Sequence, residues 1–175
     1  RPQADALRFS ARSVIVYADG LQDPGNLGAL ARSAEAAGAA ALCLSPSSVH
    51  PNHPRALRAS AGSLLRLPIA VDCPVEQLEA QLADHRPRWL GLTQRGGQSL
   101  YEANFDGCLV LALGAEASGL SVNVQDHLTQ AITIPTQPPV ESLNATVAAS
   151  IVLFEIARRQ SEGQRVTQPT REAQA

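Results

Sequence analysis

Short, largely apolar runs alternate along this chain with segments of helical periodicity, and no other feature restricts the fold so tightly. The runs are SVIVYA at 13–18, AALCLS at 40–45, LPIAV at 67–71, RWLGLT at 88–93, CLVLAL at 108–113 and AITIP at 131–135. A strand that is apolar on both faces must be covered on both faces, which is the habit of parallel sheets. The intervening segments supply the cover. From Leu27, the residues Leu30, Ala31, Ala34 and Ala37 recur at helical spacing, with Asn26 as a cap and Gly38 as the stop. Pro54 opens a short helix, PRALRASAG, and Pro74 opens another with Val75, Leu78 and Leu82 on one face. Residues 123–129 read as a helical turn or two, 95–106 as loop, and 142–159 as a long final helix capped by Ser142. The pattern predicts an α/β fold, a parallel six-stranded sheet with helices on both faces. In such sheets ligands bind beyond the carboxyl ends of the strands.

The 175 residues suffice for one domain, expected at 13–160. The chain starts at Arg1 and contains no Met, so 1–12 is expected to be an extension or a linker from a missing upstream domain. The polar, non-periodic stretch 161–175 is expected to be a disordered tail. No apolar run approaches the roughly 20 residues of a membrane span. Cys43, Cys73 and Cys108 form no Cys-x-x-Cys pair, which argues against a disulfide framework or a zinc site and fits buried thiols in the cytoplasm. Net charge is −2, and all 14 basic residues are arginine. Bulk charge therefore does not mark a nucleic-acid binder, but a local Arg patch remains open, and Arg suits bidentate contact with phosphate.

Polar residues gather after three strands. The first cluster, DGLQDPGNLGALARSAEAAG, contains Asn26 and Arg32, and its Gly25 and Gly28 permit close approach. It lacks the G-x-G-x-x-G spacing of a dinucleotide loop. The second, LALGAEASGLS, brackets Glu116 between Gly114 and Gly119 and has no Gly-Lys-Ser/Thr ending of a P-loop. The third, ITIPTQPPVESLNATVAAS, places Ser142 and Asn144 at the mouth of the final helix behind Pro135, Pro138 and Pro139. Taken singly, Asn26, Ser142 and Asn144 read as capping or turn residues, Arg32 as a solvated side chain and Glu116 as a turn residue.

In order and spacing the three clusters resemble the three signature motifs of the SpoU/TrmH family of RNA 2′-O-ribose methyltransferases. RASAGSLLRLPI at 58–69 resembles that family's middle segment, and the likeness covers about 13–160. It implies a C-terminal deep trefoil knot, a rare exception to the rule against knots. It implies S-adenosylmethionine (SAM) as methyl donor, no metal, RNA as partner, and a homodimer through the C-terminal helix with each site completed across it. Catalytic roles are implied for Arg32, Asn26, Glu116, Ser142 and Asn144. Cofactor contacts are implied for Thr93, Leu113, Gly114, Ile134 and Leu143. Arg32 contacts the reacting nucleotide, either helping to deprotonate the 2′-hydroxyl or stabilising its charge as a cation. Motif three departs from the usual pattern, with Asn144-Ala145-Thr146 and a proline-rich approach. Two other readings stay open: a silent module binding SAM or RNA, and a SAM-dependent enzyme with a non-RNA substrate.

Overall fold

The computed structural model describes residues 7–115 and 118–166, with backbone alone from 163. The apolar runs become strands β1 (Val14–Asp19), β2 (Ala41–Leu44), β3 (Ile69–Ala70), β4 (Arg88–Leu92), β6 (Leu109–Gly114) and β7 (Gln130–Thr133). A further strand, β5 (Gln98–Ser99), lies inside the stretch expected to be loop. The sheet therefore has seven strands, not six, in the order β3-β2-β1-β6-β4-β7-β5, and every pairing is parallel. β5 was illegible because it is two polar residues long and sits at the edge. Only its pairing with β7 defines it.

Helices α1 (Pro24–Ala36), α2 (Pro54–Ala59), α3 (Ser63–Arg66) and α6 (Ala145–Val166) pack on one face, around Val16, Leu42, Leu111 and Ile132. Helices α4 (Val75–Leu82) and α5 (Val122–Gln125) cover the other, around Ile15, Tyr17, Trp89 and Val110. Alternate residues of one strand serve opposite cores, which is why the strands had to be apolar throughout. The α4 stripe behaves as its spacing requires: Val75, Leu78 and Leu82 are buried, each contributing about 1.5–3 kcal/mol of burial.

The helix ends differ from expectation in three places. Asp23, not Asn26, caps α1: its carboxylate accepts the Asn26 backbone N–H at 2.8 Å. Asn144, not Ser142, caps α6, its Oδ1 accepting the N–H groups of Thr146 at 2.9 Å and Val147 at 3.2 Å. In each case the short polar side chain two or three residues before its N–H partners takes the role. The last helix also passes Arg159 and continues to Val166, into the segment expected to be a disordered tail; 167–175 lies outside the described residues. Gly38 does stop α1. It has φ +77°, and the N–H groups of Gly38 and Ala39 return to Glu35 and Ala34 in a Schellman arrangement.

Arg159 ties α6 to the β5 segment. Its guanidinium donates to the carbonyls of Ala103 at 2.6 Å and Tyr101 at 2.7 Å and lies 5.1 Å over the Phe105 ring. Its neighbour Glu155 accepts from both Arg158 and Arg159, and these bonds hold its carboxyl down at about 2. The three cysteines are buried and form no disulfide among the described residues. The contact with Cys73 and then burial push the Cys43 thiol up, and burial first of all pushes Cys108 up to about 11. Cys43 and Cys108 therefore stay protonated and chemically quiet near neutrality. Among the described residues, no helix is long and apolar enough to cross a membrane.

Candidate ligand and active site

β1 leads outward to β2 and β3, while β6 and β4 occupy its other side, so the sheet changes direction at its centre. On the β6 side of that change, a cavity of about 810 Å³ opens beyond the carboxyl ends of β4, β6 and β7. Parallel α/β sheets form their ligand clefts at this kind of position. Its walls include Thr93 after β4, Leu113 and Gly114 at the end of β6, Ile134 after β7, and Ser142, Leu143 and Asn144 before α6. All five residues expected at a cofactor and two of the five expected in catalysis thus meet around one space.

Gly114 is fixed by room rather than by backbone angle. An ideal Cβ there would fall 2.0 Å from Gly119 C, 2.2 Å from Gly119 O and 2.3 Å from Leu120 N. The loop after β6 folds back over the strand end, with Gly119 donating its N–H to Ala115 O at 2.8 Å. Glu116 lies in this loop, outside the described residues. Asp19 anchors the far side of the loop. It is buried, pairs with Gly114 across β1 and β6, and accepts the Ser121 N–H at 2.7 Å. Asp19 is not among the site residues expected from the sequence. The available signal was a carboxylate directly following an all-apolar strand, a costly placement unless it is hydrogen-bonded.

Asn26 and Arg32 do not line the cavity. Asn26 nevertheless meets the third cluster: Asn144 Nδ2 approaches its Oδ1 at 3.4 Å, and the Thr146 hydroxyl approaches its carbonyl at 3.4 Å. One and two turns further on, the hydroxyls of Ser33 and Ser150 stand 2.7 Å apart. The first and third motifs are therefore clasped through α1 and α6. Arg32 points away from this clasp, exposed, with no hydrogen bond or ion pair among the described residues. Asn144→Ala removes the cap of α6 and is expected to cost about 1 kcal/mol, read from denaturant unfolding. Ser142→Ala should leave stability unchanged, since Ser142 is exposed and caps nothing.

Two charged residues on the cavity wall were not anticipated, Arg95 and Glu141. They approach at 3.5 Å from the segments after β4 and before α6. Among the described residues no group of three or more His, Cys, Asp or Glu is placed to hold a metal ion.

Fold and cavity define a parallel α/β domain with a nucleoside-sized cleft at the carboxyl ends of its strands β4, β6 and β7. The chain belongs to the SpoU rRNA methylase family, whose model matches residues 13–154. It is 36% identical over 140 residues to an uncharacterised tRNA/rRNA methyltransferase of Synechocystis, covering 80% of this chain and 51% of the relative. It is 35% identical over 153 residues to the 23S rRNA (guanosine-2′-O-)-methyltransferase RlmB of Xanthomonas axonopodis, covering 86% and 60%. Its fold matches that of the SpoU methyltransferase AviRb of Streptomyces viridochromogenes, solved in complex with AdoMet, at a TM-score of 0.82 and 26% identity over 94% of this chain and 62% of that one. The chain thus spans about half the length of the first curated relatives it matches.

Proposed function

We propose that this domain transfers a methyl group from SAM to a ribose 2′-hydroxyl of ribosomal or transfer RNA in the cytoplasm. The observation that carries this reading is the convergence of Thr93, Leu113, Gly114, Ile134, Ser142, Leu143 and Asn144 on one cavity at the strand ends. A volume of about 810 Å³ accommodates a nucleoside carrying an amino-acid tail. Gly114, Ile134 and Leu143 would present backbone to that ligand, and the lack of a side chain at Gly114 leaves space for the doubled-back loop. The return of Gly119 and Leu120 over the end of β6 accords with a C-terminal trefoil knot.

Bound SAM supplies a methyl group already activated by its sulfonium, so the chain's own work is to hold the acceptor ribose and manage its proton. Arg32 takes that role, either as the base or as a cation facing the developing alkoxide. Since Arg32 does not line its own cavity, the reading requires a second copy. α6 carries the matching feature: Val147, Ile151 and Phe154 are 49%, 38% and 53% exposed and lie on one side of the helix. A stripe at i, i+4 and i+7 is the pattern of a helix covered by a partner. Val147 and Ile151 follow directly on Thr146 and Ser150, which meet α1, so a homodimer along α6 would bring the partner's α1 toward this cleft. Asn26, Asn144 and Glu116 would orient Arg32 and the ribose.

The charge pattern supports a polyanionic substrate despite the net −2. On the α1–α3 side the carboxylates Asp23 and Glu35 are paired with Arg55 and Arg66, which leaves Arg32 and Arg58 exposed without an ion pair among the described residues. α4 carries Glu76 and Glu79, with Asp84 and Arg86 just after it. RNA phosphates favour the first side. The test is incubation of the full-length protein with methyl-labelled SAM and total RNA, followed by digestion. Labelled 2′-O-methylnucleoside is the expected product. Label on bases, on protein or small molecules, or nowhere would overturn the reading.

A further inference from the structure

We infer that Arg95 and Glu141 form a clamp for the zwitterionic amino-acid tail of the methyl donor, Arg95 taking the carboxylate and Glu141 the ammonium. The inference rests on the SAM reading above. Among the described residues that line the cavity, these two alone are charged, and they are of opposite sign. They come from different segments, 46 positions apart in sequence, and meet at 3.5 Å through a single Nη2–Oε1 contact.

Both positions are held by their own loops. The Thr93 hydroxyl donates to Arg95 O at 3.0 Å, and the Thr136 hydroxyl donates to Val140 O, just before Glu141, at 3.0 Å. Both side chains are about four-fifths exposed, 79% and 80%. A pair this exposed and this long contributes little to stability, so the fold gains almost nothing from it. Such a pair exchanges readily with a ligand that offers both charges at once. A free α-amino acid group does so, and the guanidinium fork matches a carboxylate bidentately. Adenosine and sulfonium lack that pairing, so the clamp reads the tail and not the nucleoside.

Calorimetric titration of three probes separates these parts: SAM, decarboxylated SAM and 5′-methylthioadenosine. Wild type should bind SAM more tightly than 5′-methylthioadenosine. Arg95→Ala should weaken SAM by about tenfold and leave decarboxylated SAM and 5′-methylthioadenosine within about twofold. Glu141→Gln should weaken SAM and decarboxylated SAM but not 5′-methylthioadenosine. Neither side chain is buried, so both variants should keep the wild-type unfolding midpoint. Equal losses for all three probes, or no loss for SAM, would overturn the clamp while leaving the SAM reading intact. Wild type that binds none of the probes would overturn the SAM reading and the clamp with it.

Discussion

Arg32→Ala is expected to lower methyl transfer to RNA by about 10²–10⁴-fold while SAM binding, measured by calorimetry, stays within about twofold. The structure separates the two readouts. Arg32 lies on the exposed side of α1 and does not line the cleft, so its truncation leaves the cofactor walls untouched. Loss of both activities together would sink the assignment. The pH profile then distinguishes the roles of Arg32. A rate that stays flat with pH across the neutral range would exclude Arg32 as a simple general base. If the partner's Arg32 completes each site, mixing Arg32→Ala with a cleft-blocking variant such as Ser142→Trp should restore about a quarter of wild-type activity. Half the dimers would be mixed, each with one complete site. No recovery in co-refolded mixtures would show that each copy works alone.

Gly114→Ala is expected to be the most damaging glycine-to-alanine change among the described residues. Three backbone atoms of Gly119 and Leu120 lie 2.0–2.3 Å from where its Cβ would be placed. Backbone cannot rotate aside as a side chain can. The loop would have to lift, pulling Ser121 from buried Asp19 and opening the cleft. We expect a loss of about 3 kcal/mol or more in denaturant unfolding, together with loss of SAM binding. Gly38→Ala is the control. Gly38 has φ +77° and nothing within 4 Å of the Cβ position, so the cost there is conformational, about 1–2 kcal/mol, with SAM binding retained. If Gly114→Ala costs no more than Gly38→Ala, the close crossing of the loop over β6 is wrong.

Much of the fold was legible in the order of residues. Strands that stay apolar on both faces, such as CLVLAL, admit a covered parallel sheet and little else. Helical spacing at 27–37 and 75–82 placed α1 and α4 correctly. What local pattern missed is specific. β5 has two polar residues and exists only through its pairing with β7. The caps slipped by two or three positions because Asp23, Asn26, Ser142 and Asn144 are all chemically able to cap. Which one does so depends on where the first free N–H groups fall.

The sequence by itself determined the α/β class, the parallel sheet and, through three ordered motifs, the family. It also determined which side chains have the chemistry for the site, because residue type and spacing are local properties. Only the tertiary structure decided which of them share a space. It gathered Thr93, Gly114, Ile134 and Asn144 around one cleft and set Asn26 against Asn144 across 118 positions. It also turned Arg32 outward and revealed Asp19, Arg95 and Glu141. These are facts of long-range contact: parallel strands bring together segments that lie far apart in the chain, and the crossing of the loop over β6 depends on where two backbones pass.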